Sequence, residues 1–298
     1  MNESTITPSS GPETVASTRQ MRWGTFLRNL VKNKLAIVGA AIIFFFFVIA
    51  FLAPYIAPHS PSATDLMNRF QPPSAENWFG TDHNGRDIFS RILHGASLTL
   101  YIGLLSVSIG AVFGILMGVV SGYYGRWVDT VIMRVVDVLL AFPGILLALA
   151  IVSALGPSLH NVIIALSVYN VPVFARIVRA STLEVRKLEY VEAIRALGAS
   201  DAKIVCQHIL PNIVSPIIVK ATLQIAVSIL SAAGLSFLGL GAQPPAPEWG
   251  AMLSDGRDYM WDSPHITIFP GIAIVLVVLG FNLLGDGLRD ALDPRNKS

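Results

Sequence analysis

Hydrophobic positions along this chain gather into long unbroken runs rather than into the one-sided stripes of water-soluble helices. From Leu35 to Ile56 every residue is apolar, small or aromatic, with Pro54 near the end. A helix of this length, rising about 1.5 Å per residue, reaches across the ~30 Å hydrocarbon core of a bilayer. Further runs cover 97–120, 131–154, 161–177, 213–238 and 266–284, with 161–177 the shortest and carrying Pro172. The pattern predicts six membrane-spanning helices. Residues 57–96, with Pro58, Pro61, Pro72, Pro73 and scattered charges, read as a loop outside the bilayer. Residues 1–34 read as a polar tail, disordered at its start, where Ser, Thr, Pro and Glu dominate. The first run is longer than the apolar region of a signal peptide and no small-residue cleavage site follows, so it is expected to stay as an anchor. Residues 97–286 form the main membrane domain and 287–298 a short C-terminal tail.

Charge placement orients these spans. Outside the runs, Arg69, Arg86, Arg91 and Arg257 fall on one side of the predicted membrane, and the remaining Lys and Arg fall on the other. Positive residues favour the cytoplasmic side, which puts both termini in the cytoplasm. The overall composition agrees: among 298 residues 53% are hydrophobic and only 13% charged, where a soluble domain carries about a quarter. A formal net charge of +2 is too mild to argue for nucleic acid.

Little in the chain points to catalysis. Cys206 is the only cysteine, so an intrachain disulfide is impossible. The six histidines form no His-x-x-x-His pair, and Asp82, Asn84, Gly85 and Asp87 lack the ligand spacing of a calcium loop, so no metal site is expected. A phosphate-binding Gly-x-x-x-x-Gly-Lys-Ser/Thr segment and a Gly-x-Ser-x-Gly elbow are both missing, which predicts a chain that is not itself an enzyme.

Three polar or small-residue patterns stand out. Gly110, Gly114, Gly118 and Gly122 recur every four residues, a stripe that lets a neighbouring helix approach closely. Lys220, Gln224, Ser228 and Ser231 share one face of the fifth span; polar side chains there face either a wet path or a packed neighbour, and both readings stand, with the translocation path as the candidate role. Arg134 and Asp137 are placed to pair on one helix face. The loop at 178–212 contains an apolar stripe, Leu188, Val191, Ile194 and Leu197, followed by Gly198 as a helix stop, Ser200 or Asp201 as a cap, and Pro211 as the end or kink of a second helix.

The string Glu192-Ala193-Ile194-Arg195-Ala196-Leu197-Gly198, then Ile209-Leu210-Pro211, resembles the Glu-Ala-Ala loop of bacterial ABC importer permeases. Ile194 replaces the second alanine, and His208 stands where an isoleucine is usual. Phe79-Gly80-Thr81-Asp82, Gly85 to Arg91, Gly239 to Pro245, Pro247 to Gly250 and Asn282 to Asp290 are similar to the dipeptide and oligopeptide permease family, in its C-type subunit. The resemblance covers the chain from about Arg22 to Pro294. It implies an all-α membrane protein with the type I importer permease fold plus one added N-terminal helix. It implies a coupling loop, built on Glu192, Ala193, Ile194, Gly198, Leu210 and Pro211, that docks on an ATPase subunit. It further implies a homologous second permease subunit, two ATPase subunits that bind ATP and Mg, and an external solute-binding protein. Dipeptides or oligopeptides lead as the solute, with glutathione and nickel as alternatives within the class. A stand-alone secondary transporter is the alternative of a different class, and would call for inverted repeats and membrane-centred carboxylates.

Overall fold

The computed structural model describes residues 30–31 and 33–292; the disordered start expected for the N-terminal tail lies outside the described residues. Helix α1 (Lys34–Ile56) begins at Asn33, whose side chain accepts the amides of Leu35 and Ala36 at 3.1 and 3.2 Å. Such a cap satisfies backbone donors that the first turn leaves free. Helix α2 (Ile88–Tyr124) is 37 residues long, about 55 Å, and so outruns the bilayer core. It starts nine residues before the apolar run at 97–120. Asp87 caps it by accepting the amide of Ser90 at 2.8 Å, and Ser90 and Arg91 are buried in its first turns. Polar residues that have partners can sit in a helix that hydropathy alone does not extend.

The run at 131–154 is not one straight span. It folds as α3 (Arg126–Leu140) and α4 (Gly144–Leu155), bent by 86° at the break. Pro143 stands in the break: it has no amide proton to donate, and a proline disfavours helical backbone angles at the residue before it, here Phe142. Helix α5 (Leu159–Arg186) passes through Pro172 and continues nine residues beyond 177. Helix α6 (Glu189–Ala196) is short, and α7 (Asp201–Phe237) is one rod containing a π turn at Val205–Ile209. That turn answers the expectation for Pro211. The amide of Leu210 reaches back to the carbonyl of Val205, so the widened turn absorbs the proline and the helix runs on into the membrane instead of stopping. Helices α8 (Trp249–Gly256) and α9 (His265–Leu292) complete the fold, and α9 reaches six residues past 286 into the predicted tail.

Small residues set the packing. A Cβ on Gly110, Gly114, Gly118 or Gly122 would collide with Asn170, Phe174, Ala175, Val178 or Thr182 of α5, so the stripe brings α2 and α5 into backbone contact. Gly39 packs in the same way on Gly280 and Leu284, laying α1 antiparallel to α9, and Asn33 donates to Asp290 at 3.1 Å where the pair begins and ends. Gly198, at φ 83°, is different: nothing lies within 4 Å of an added Cβ, so glycine is present there for its backbone angle alone.

At the end of the bundle away from α6, Trp249 is fully buried and its indole donates to the carbonyl of Ile92 at 3.1 Å. Beside it Glu248 caps α8, accepting the amides of Gly250 and Ala251 at 2.9 and 2.8 Å; burial pushes its carboxyl above the usual range. Asp82 accepts from Arg86 Nε at 2.6 Å and lies 3.7 Å from Arg91, and Arg86 also reaches Asp255 at 3.3 Å. The loop motif around Gly85 is therefore an ordered, internally paired turn leading into α2.

Candidate functional site

Helix α6 sits across the ends of three long helices. Val191 is 1% exposed and Ile194 half-buried, packed into a cluster with Val119 and Tyr123 of α2, Val178 of α5 and Ile204, Ile209 and Ile213 of α7. The other face is open: Glu189, Glu192, Ala193 and Ala196, spaced by three, four and seven, are all exposed. The apolar stripe is shorter than its spacing predicts. Leu188 is 46% exposed and Leu197 86%, because the helix spans only Glu189–Ala196 and these two residues stand at its caps.

The turn after α6 is built by hydrogen bonds. The amide of Gly198 donates to the carbonyl of Arg195 at 3.0 Å, and that of Ala199 to Ile194 at 3.3 Å, the paired closure that needs a left-handed residue in between. Ser200 stands ahead of α7 without a side-chain capping bond, while Asp201 turns away to accept the Tyr123 hydroxyl at 2.6 Å. Arg186 donates to the carbonyl of Tyr123 at 2.7 Å, and Asn212 donates to the hydroxyl of Tyr190 at 3.0 Å. Of the residues singled out for docking, Glu192, Ala193, Gly198 and Pro211 are exposed, while Ile194 and Leu210 are half-buried against the cluster. Among the described residues Glu192 has no ion-pair partner, so its carboxylate is free for another chain.

The polar face of the fifth span resolves differently. Gln224 is 2% and Ser228 0% exposed; Gln224 donates to Asn170 Oδ1 at 2.9 Å, and Asn170 donates to Ser228 Oγ at 3.1 Å. These two side chains join α7 to α5 through Asn170. Lys220 and Ser231 remain half-exposed. Asn170, the centre of this network, is an amide set among apolar and aromatic neighbours, and that setting was its only sequence signal. Asp137 is also partnered otherwise than expected: Arg176 of α5, not Arg134 one turn away, donates to it at 2.8 Å. Arg179 grips Asp129 through two nitrogens, Nε and Nη2, and ties α3 to α5.

Residues 110–298 match the family model for the inner membrane component of binding-protein-dependent transport systems, and residues 22–73 match that for the N-terminal membrane domain of oligopeptide transport permease C. The chain belongs to this permease family. A dipeptide transport system permease protein of Alkalihalophilus pseudofirmus is 52% identical, over 98% of this chain and 96% of that protein. A glutathione transport system permease protein of Escherichia coli is 51% identical over 92% and 91%, and one of Pectobacterium atrosepticum is 48% identical over 93% and 92%. In fold, the chain is similar to an inward-facing methionine ABC transporter, with a TM-score of 0.56 and 21% identity over 69% of this chain and 98% of that one. An amino acid ABC transporter gives 0.52 and 18% over 66% and 92%. The permease is thus a multi-pass membrane subunit of a binding-protein-dependent importer, and the stand-alone secondary transporter is set aside. The match to the permease C model covers α1.

Proposed function

We propose that this permease is one of two pore-forming subunits of an ATP-driven importer that moves dipeptides or oligopeptides across the bacterial inner membrane. The observation that carries the reading is α6, with one face fastened to α2, α5 and α7 and the other presenting Glu189, Glu192, Ala193 and Ala196 to solvent. A rigid helix held in this way can seat in a groove of an ATPase subunit and pass its displacement to three long helices at once. The small side chains allow close approach, and the two glutamates offer charge-assisted bonds. ATP and Mg belong to the two ATPase subunits, whose closure would drive α6 and its counterpart on the sister permease together. The pair of permeases would then change from inward-facing to outward-facing and accept solute from the external binding protein.

Short peptides are the solute class because the relatives named above are dipeptide and glutathione permeases, and glutathione is itself a γ-linked tripeptide. The α6 end of the bundle is the cytoplasmic one, in keeping with its arginines and lysines. Both termini belong on that side: the antiparallel packing of α1 on α9 brings Asn33 beside Asp290.

The test is extraction of the tagged chain from its own membrane in mild detergent, followed by reconstitution into vesicles. Recovery of one homologous permease and two ATPase chains, with ATP-dependent uptake of labelled dipeptide in the presence of the binding protein, is expected. Recovery without any ATPase would overturn the reading, and uptake competed only by glutathione would reassign the solute.

A further inference from the structure

Tyr123, in the last turn of α2, is where all the elements around α6 meet. Its side chain is buried, at 4% exposure, although it lies at an end of the bundle. Its hydroxyl donates to Asp201 Oδ1 at 2.6 Å, in the first turn of α7. The Arg195 guanidinium of α6 lies 5.2 Å from the centre of its ring, and Arg186 of α5 donates to its carbonyl at 2.7 Å. Val191 and Ile194 complete the contact from α6 within the same apolar cluster. Tyr123 thus joins α2 to α5 and α7 through hydrogen bonds and to α6 through the Arg195 guanidinium over its ring.

The opposite end of α2 is also held. Arg91 is 1% exposed, approaches Asp82 at 3.7 Å, and donates to the carbonyls of Pro61 at 2.9 Å and Pro245 at 3.3 Å. Arg91 and Tyr123 lie on one helix, separated by about 48 Å at 1.5 Å per residue. A helix pinned at both ends acts as a lever: tilting it at Tyr123 displaces the loops that Arg91 grips.

We infer that Tyr123 is the positioning residue through which movement of α6 enters α2 and is carried to the far side of the membrane, an inference that rests on the importer reading. The hydroxyl bond to Asp201 keeps the end of α2 moving with the α6–α7 pair rather than slipping against it. The apolar ring by itself fills space and would allow slip.

The experiment compares Tyr123→Phe with the parent in the complete transporter, purified with its ATPase subunits and reconstituted into vesicles, and reads dipeptide delivered per ATP hydrolysed. A hydrogen bond to a charged acceptor shifts an equilibrium by about tenfold, so that ratio is expected to fall about tenfold. Asp201→Ala should show the same fall, and the double variant should be no lower than either single one. Asp201→Asn keeps an oxygen that can accept the hydroxyl and should retain most of the ratio. A parent-like ratio in Tyr123→Phe, or losses that multiply in the double variant, would overturn the inference. If Tyr123→Phe does not assemble, Asp201→Ala decides it, since Asp201 is exposed and its truncation leaves the core intact. A parent preparation lacking ATPase chains would instead remove the importer reading and the inference with it, which separates the two failures.

Discussion

Gly198 and Gln224 illustrate two ways in which a single residue matters. At Gly198 the space around an added Cβ is empty, so substitution acts through the backbone angle alone. Gly198→Ala should cost about 1 kcal/mol locally and reduce uptake without abolishing it. Gly198→Pro, whose ring fixes φ near −65° and removes the amide that bonds Arg195, should abolish uptake while the chain still inserts. Uptake assays with immunoblots of the membrane fraction read both, and normal uptake by the proline variant would show that the turn does not orient α6. At Gln224 the loss is of a partner. Gln224→Leu leaves Asn170 with one bond fewer and should lower stability in detergent by about 1 kcal/mol, with solute selectivity unchanged. A changed selectivity would return Gln224 to the translocation path.

At the scale of elements, close packing of α2 on α5 is the most stringent requirement in the fold. Gly114 lies against Phe174 Cβ and the Val171 carbonyl, neither of which can give way without moving a helix. Gly114→Leu should destabilise the subunit by about 3 kcal/mol or more. The expected readout is loss of the monodisperse peak in size-exclusion chromatography of the detergent extract; a folded variant with the parent melting temperature would mean that α2 and α5 do not pack this closely. The broken span carries a related lesson. Hydropathy marks 131–154 as apolar and long enough to cross, but the bend at Pro143 yields a helix of 12 residues, about 18 Å, which cannot cross alone. Apolar content marks the run as a whole, and the proline decides where it bends.

For the whole molecule, the orientation of the α6 end can be tested with the native sequence. Cys206 is exposed in the π turn of α7 and is the only thiol. A membrane-impermeant maleimide should label it in inverted vesicles and leave it unmodified in intact spheroplasts. The opposite result would place α6 outside the cell and rule out docking on an ATPase. The segment carrying α6 was legible in the sequence because its signals are local: a short amphipathic repeat, a glycine, and a run of residues similar to a known loop. The partners of that segment were not. Tyr123 carries no signal at its own position, and its bond to Asp201 joins residues 78 apart in sequence.

The sequence by itself determined that the chain lives in a membrane, roughly where its helices lie, which permease family it resembles, and which loop carries a short amphipathic helix ended by a glycine. Hydropathy, helix-ending glycines and motif spacing are properties of neighbours in the chain, and they survive whatever the rest of the fold does. Only the tertiary structure decided which side chains meet. It turned Gln224 and Ser228 inward to Asn170, gave Asp137 to Arg176 instead of Arg134, and gathered α5, α6 and α7 on Tyr123. In a bundle whose helices are apolar on nearly every face, one face is chosen as interior by contact with another helix, and that choice is made between distant segments rather than within any one of them.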